Sequence, residues 1–341
     1  NVKGVRIMKK AITLLLSAIL CLSFVSCGGN KERNLKESTT EANSAENSST
    51  TESLIDTPEI MESTVINAEN QNSTHTKMII TGTPDSAAKS GFAPLEKVTY
   101  TVSDPDNTRG LSTKKLSHSH GPASGGKAHY TVVEFQKTFE KYGAFTLDTS
   151  GEKVLYLTFD CGYEYENLTS KVLDVLKEKG VNATFFCTLD HIKKETDLIA
   201  RMIKEGHIVG NHSTTHPSFA NINRTKMAKE IEETENYLRE NFGYAAKYFR
   251  FPAGEYNESA LELVESLGYR SVFWSVAYND WDTSKVRGKD YTVKTVMERL
   301  HPGAVILLHS VSRDNAEALS EIIDKAREQG YRFESIVNYE L

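Results

Sequence analysis

Residues 154–187 read VLYLTFDCGYEYENLTSKVLDVLKEKGVNATFFC. The run Val154 to Phe159 is apolar and short, as a strand buried on both faces would be. Leu168, Val172, Val175 and Leu176 then recur at helical spacing until Gly180 stops them, and a second apolar run follows from Ala183 to Cys187. Strand, helix, strand is the repeating unit of a parallel sheet. The alternation continues downstream. Further strands are expected at His207 to Gly210, Tyr248 to Phe251, Ser271 to Val276, Val305 to Leu308 and Phe333 to Val337. A helix with Leu261, Leu263, Val264 and Leu267 begins near Asn257 and stops at Gly268. Seven strands covered by helices place residues 151–341 in the α/β class, as an open doubly wound sheet or a barrel.

Polar residues with chemical potential fall just past the carboxyl ends of these strands. Asp160 follows the first, His212 and His216 the third, Arg250 ends the fourth, Asp280 and Trp281 lie beyond the fifth, and His309 follows the sixth. In a parallel barrel the strand ends converge on one face, where active sites are built. Each residue alone has a plainer reading: Asp160 as a helix cap, Arg250 as a surface ion-pair partner, His309 as a core histidine. The spacing of His212 and His216, i to i+4, sets two imidazoles on one face of a helical turn and suits a first-row metal, although capping or solvated histidines are common too. So many such residues on one edge are hard to obtain by chance.

Upstream the texture differs. Lys3, Arg6, Lys9 and Lys10 precede an apolar run from Ala11 to Ser26, the pattern of a secretion signal over residues 1–26, with Met8 read as the start. Phe24-Val25-Ser26-Cys27-Gly28 resembles a bacterial lipobox, so a lipid on Cys27 is expected to hold the protein at the membrane; secretion and an uncleaved anchor are the alternatives. Residues 27–78 read as a disordered tether. From Lys31 to Thr76 about two thirds are Ser, Thr, Asn, Glu or Gln and none is aromatic. Such a chain of ~50 residues reaches about 40 Å. Residues 79–150 read as an extension packed on the main domain, with a helix from Val132 to Tyr142. The 341 residues carry 46 acidic against 40 basic side chains, a net charge of −6 and a pI near 6.0, so no basic footprint for nucleic acid exists. Four cysteines with no C-x-x-C pair exclude a disulfide scaffold and a zinc ribbon.

Taken in order, the motifs resemble those of the NodB-homology polysaccharide deacetylases, carbohydrate esterase family four, across Val154 to Leu341. Thr158-Phe159-Asp160-Cys161-Gly162, Asn211-His212-Ser213-Thr214-Thr215-His216, Arg250-Phe251-Pro252-Ala253-Gly254 and Leu307-Leu308-His309 carry the likeness. It is strongest to the delta-lactam-biosynthetic de-N-acetylases of the spore cortex, through Asp160-Cys161-Gly162-Tyr163-Glu164, Phe273-Trp274-Ser275-Val276-Ala277, Gly110 to Lys115, and the run from Leu307 to Leu319. The resemblance implies a distorted (β/α) barrel of about seven parallel strands. It implies a divalent metal, zinc by preference, on His212 and His216, Asp160 as general base oriented by Arg250, and His309 as general acid. A backbone N–H near Ala253 would serve the oxyanion, and Tyr163 and Trp281 would line the sugar groove. The substrate implied is peptidoglycan, at N-acetylmuramic acid already stripped by an amidase.

Two positions depart from the family pattern. Cys161 stands where a second Asp is the third metal ligand; a thiolate suits zinc, but the cysteine could equally stand aside or pair with Cys187. Ala277 stands where relatives place an Asp that tunes the acid histidine, leaving Asp280 as the candidate for that role. Other readings of the whole are a chitooligosaccharide or other polysaccharide deacetylase, and a glycan-binding pseudoenzyme.

Overall fold

The computed structural model describes residues 89–118 and 121–339. The signal segment, Cys27 and the tether lie outside the described residues, as does the start of the extension.

Nine strands occur among the described residues: β1 Leu116–Ser117, β2 Val154–Cys161, β3 Thr184–Cys187, β4 Ile208–Asn211, β5 Tyr248–Phe249, β6 Glu255–Tyr256, β7 Arg270–Ser271, β8 Ala304–His309 and β9 Arg332–Phe333. Eight α-helices alternate with them: α1 Tyr130–Phe139, α2 Leu168–Lys179, α3 Leu189–Lys194, α4 Thr196–Lys204, α5 Arg224–Phe242, α6 Glu258–Ser266, α7 Lys289–Arg299 and α8 Arg313–Glu328. Seven strands form one parallel sheet in the order β7-β5-β4-β3-β2-β8, with β9 paired to the start of β2. β1 and β6 make a separate antiparallel pair. This is a distorted (β/α) barrel rather than a doubly wound sheet, because the chain after β7 returns to the far edge: Val276 bridges Ile306 of β8.

β2 is buried along nearly its whole length, as a strand covered on both faces must be. Phe159 and Phe185 stack in neighbouring strands with centroids 5.0 Å apart. Each such ring contributes about 1.5–3 kcal/mol by leaving water. The helix signals work as local chemistry requires. Asn223, Asn257 and Ser312 accept first-turn N–H groups at the starts of α5, α6 and α8, and Gly180 and Gly243 end α2 and α5 in the left-handed conformation.

Several boundaries differ from the pattern reading, the first strand among them, which runs on past Phe159 to Cys161. The strand expected at Ser271 to Val276 is regular only over Arg270–Ser271, since its continuation is shared between two partners: Val272 bridges Phe145 of the extension and Val276 bridges β8. The strand expected to Phe251 stops at Phe249, and that expected at Phe333 to Val337 is a two-residue strand, Arg332–Phe333, followed by the 3-10 turn Ile336–Asn338. The helix expected from Val132 to Tyr142 is α1 followed by a 3-10 turn, Glu140–Tyr142, ended by Gly143 at φ 66°.

The extension contributes to the barrel directly. Phe145 N–H donates to Ser271 O and Phe273 N–H to Phe145 O, both at 2.8 Å, while Asp148 N–H donates to Gly303 O at 2.9 Å. Residues 145–148 thus fill the opening between the β7 side and β8. Farther upstream, Val98 and Tyr100 donate their N–H groups to Asn236 and Glu232 of α5.

Candidate active site

Parallel pairing sets the candidate residues in one layer. Asp160 in β2 is the register partner of His309 in β8, so the two stand side by side at the same height. His212 follows β4 directly and Arg250 follows β5 directly, with Arg250 N–H donating to Asn211 O at 3.1 Å. These ends open into a cavity of about 1000 Å³ whose wall includes Asp160, His212, His216, Ala253 and His309.

Arg250 is the pivot. Its side chain is wholly buried yet fully used: Nε donates to Val272 O at 3.0 Å, one terminal nitrogen to Asp160 Oδ1 at 2.7 Å, and the other to Thr158 Oγ1 at 2.9 Å and Phe273 O at 3.2 Å. The guanidinium also lies 4.2 Å from the Phe186 ring centroid. Burial alone would raise the Asp160 carboxyl, but Arg250, His212 and His309 outweigh it and hold the group below its ordinary range. The plainer reading of Arg250 as a surface ion-pair partner is excluded by its burial.

The histidine pair is built by a loop and not by the helical turn that the i to i+4 spacing suggested. Ser213 and His216 both adopt positive φ, 69° and 56°, and this double reversal folds His216 back over His212. Such a loop costs strain and needs support. Asn211 Oδ1 accepts from Ser213 N–H at 2.9 Å, Ser213 Oγ from His216 N–H at 3.0 Å, and Glu230 of α5 from both Thr215 N–H and Thr215 Oγ1 at 2.7 and 2.8 Å. The result sets the two Nε2 atoms 3.2 Å apart, with Asp160 Oδ2 3.6 Å from His212 Nε2.

His212 Nδ1 faces Arg250 O at 2.9 Å. A carbonyl only accepts, so Nδ1 carries the proton and Nε2 keeps a lone pair. Burial presses His212 down to about 4 and His216 in the same direction, so both rings are neutral near pH 7. Two neutral imidazole nitrogens converging beside a carboxylate are a donor set that fits a divalent ion.

His309 sits in the opposite electrostatic setting. Its Nδ1 donates to Asp280 Oδ1 at 2.7 Å and its backbone N–H to Asp280 Oδ2 at 2.8 Å. Asn315 completes the clamp, giving one Nδ2 hydrogen to Asp280 Oδ2 at 2.6 Å and another to His309 O at 3.0 Å. Burial lowers the imidazole, but Asp280 and then Asp160 more than reverse this and leave it above its ordinary value. Asp280 therefore occupies the position that Ala277 cannot fill.

Ala253 lies on the cavity wall at φ 54°, a left-handed conformation uncommon for a residue with a Cβ. Tyr163 and Trp281 stand at the rim, 49% and 58% exposed. Cys161 is placed elsewhere. Successive strand residues point to opposite faces, so Asp160 in the cavity sends Cys161 behind it, where Sγ meets Ser310 Oγ at 3.3 Å and gathers with Cys187 and His191 rather than with His212 and His216. The expectation that Cys161 shares an ion with the histidine pair is corrected on this ground. Cys161 and Cys187 are free thiols.

Several residues of the site escaped pattern reading. Glu230 is one acid among many on α5 and carries no sequence signal. Arg287, Arg299 and Tyr291 reach the cavity wall from the segment around α7. Tyr278 donates to Asn315 Oδ1 at 2.6 Å, and only the quoted run to Leu319 pointed toward Asn315.

A family model for polysaccharide deacetylase matches residues 148–272. The peptidoglycan-N-acetylmuramic acid deacetylase PdaA of Bacillus subtilis (strain 168) is 44% identical over 227 residues, 65% of this chain and 82% of that protein. The chain belongs to the polysaccharide deacetylases. The solved structure of Bacillus subtilis PdaA, a family 4 carbohydrate esterase, superposes with a TM-score of 0.64 at 39% identity, over 67% of this chain and 97% of that one. A family 4 carbohydrate esterase from Bacillus anthracis gives a TM-score of 0.56 at 39% identity with the same coverage. As a polysaccharide deacetylase the chain is a hydrolase of N-acetyl amide bonds, and the family employs a divalent metal.

Proposed function

We propose that this deacetylase acts on peptidoglycan, removing acetyl from N-acetylmuramic acid already stripped of its peptide, in the formation of the muramic delta-lactam of spore cortex. The observation that carries the chemistry is the pair of opposed groups at the same height: an ionised carboxylate, Asp160, and an imidazole, His309, held toward its protonated form. That is the division of labour amide hydrolysis needs. Asp160, aligned by Arg250, takes a proton from water as the water oxygen bonds to the acetamide carbon. His309 gives its proton to the amine nitrogen as the C–N bond breaks, so acetate and a free hexosamine amine leave. Without that proton the tetrahedral intermediate would expel water and return to substrate. A divalent ion, zinc by our reading of the donor set, would be held by His212 and His216 and would polarise the acetamide oxygen and lower the pKa of a water.

Two observations support the muramic substrate. The relative that is 44% identical bears that substrate in its name. The cavity wall also carries two cations, Arg287 and Arg299. Removing the peptide from muramic acid uncovers a lactyl carboxylate, and a guanidinium is suited to that planar anion. The freed amine and that carboxylate belong to one sugar and can close to a lactam with loss of water. A chitooligosaccharide has no carboxylate to offer. The test is mass spectrometry of three substrates after incubation with protein and metal: peptide-stripped glycan, intact peptidoglycan and chitooligosaccharide. Loss of acetyl confined to the first supports the proposal, together with a raised KM in Arg299→Ala. Equal rates on chitooligosaccharide would refute it.

We also propose that the enzyme is exported and held by a lipid on Cys27, working on glycan that an amidase has stripped. The charged start, apolar run and lipobox-like Cys27 support this. Cys27→Ala should then release the protein from the membrane fraction or trap a precursor. Unchanged fractionation would contradict it.

A further inference from the structure

Three donor side chains gather behind the cavity wall, outside the catalytic set. Cys161 ends β2, Cys187 ends β3, and the two are register partners. His191 lies in α3, started by Thr188, whose Oγ1 accepts His191 N–H at 3.4 Å. One ligand atom from each lies within 4.8 Å of the other two. All three residues are fully buried.

The polar atoms here are poorly satisfied. Neither ring nitrogen of His191 has a hydrogen-bond partner. An unpaired buried polar group costs about 1–3 kcal/mol, so a ring with two of them calls for a ligand. Cys187 Sγ has a long contact, 3.6 Å, to Phe185 O and a thiol contact with Cys161, both weak sulfur hydrogen bonds. Burial presses His191 down to about 4, which leaves the ring neutral with a lone pair to give.

We propose that Cys161, Cys187 and His191 form a second metal site, separate from the histidine pair, that takes a thiophilic divalent cation of the zinc class. Two sulfurs and one imidazole are a soft donor set, and Ser310 Oγ beside Cys161 offers an oxygen at the same place. Charge balance favours it. Two thiols lose two protons to solvent as the ion enters, and two thiolates plus a dication sum to zero, so no net charge is buried. An ion here would tie the ends of β2 and β3 to α3. Their immediate chain neighbours Gly162, Thr188 and Asp190 line the catalytic cavity, so the tie would brace its wall directly behind Asp160.

The test uses the full chain in reduced form, with Cys21→Ser and Cys27→Ser to remove the other two thiols, titrated with cobalt(II). Two equivalents should bind, with a sulfur-to-cobalt charge-transfer band in the near ultraviolet. The band should survive His212→Ala with His216→Ala and disappear in Cys161→Ser with Cys187→Ser, which should retain one equivalent. His191→Gln, which spares both thiols, should weaken the band-forming equivalent by about tenfold or more. A folded protein that binds one equivalent with no band would overturn the proposal, whether or not the cysteine variants fold. So would a band abolished by the histidine-pair variants, or the finding that Cys161 and Cys187 are joined as a disulfide in freshly isolated protein.

Discussion

Asp280→Asn isolates the electrostatic part of the proposed acid function. Asp280 accepts from His309 Nδ1, from His309 N–H and from Asn315 Nδ2. An asparagine removes the charge, offers one acceptor oxygen and turns an amide toward donors. With charge centres about 4 Å apart and an effective dielectric near 20, the lost attraction is about 4 kcal/mol at most, and a retained hydrogen bond and solvent at the mouth of the cavity reduce it to about 2–3 kcal/mol. The general acid must be protonated to act, so the alkaline limb of kcat/KM should move to lower pH, and the rate on the alkaline side of the parent's limb should fall by up to about 100-fold, and by less near pH 7. Stability gives a second reading with a definite sign. His309 is raised in the fold, so its contribution is fully present below the unfolded value near 6.5 and is lost as pH rises through the folded value. The variant should therefore lose more stability at pH 5 than at pH 9. Acetate release across pH and urea unfolding at the two pH values measure both effects. An alkaline limb that stays in place would refute the assignment of His309 as the acid.

Asp160→Asn should lower deacetylation at least about 100-fold, and it should also lower Tm because Arg250 keeps its buried charge without a counter-ion; activity within about tenfold of the parent would mean another base. Because Asp160 is held below its ordinary range, its stabilising contribution is present above the unfolded value near 3.9 and is lost as pH falls through the folded value, so the stability gap between parent and Asp160→Asn should narrow in acid. Chelation should stop acetate release while leaving far-ultraviolet dichroism unchanged, since the histidine pair sits on a loop outside the core; full activity after rigorous metal removal would overturn the metal requirement. Glu230→Ala should weaken metal binding about tenfold or more and cost about 1–3 kcal/mol, by freeing the Thr215 end of that loop; unaltered metal affinity would show that the loop holds its shape alone.

The barrel was legible because its cause is local and repetitive. Apolar runs such as Val154 to Phe159 are buried on both faces, and helix stops such as Gly180 act within a few residues of themselves. The strand after Ser271 was not legible as it stands, because its partners, Phe145 and Ile306, lie far away in the chain. The same division runs through the site. Residue types at strand ends announced Asp160, Arg250 and His309, since the register of a parallel sheet brings strand ends together whatever the loops do. The spacing of His212 and His216 marks the pair but does not fix its local structure. A spacing of four is satisfied by a helical turn, but also by a loop with positive φ at Ser213 and His216, and only the donors and acceptors of Asn211, Ser213 and Glu230 decide between them. Cys161 marks the limit most clearly. Motif alignment sets it beside Asp160 as a ligand, yet the two-residue period of a strand sends adjacent side chains to opposite faces. For a residue to join the histidine pair from that position the strand must have ended before it, and in this chain β2 continues through Cys161.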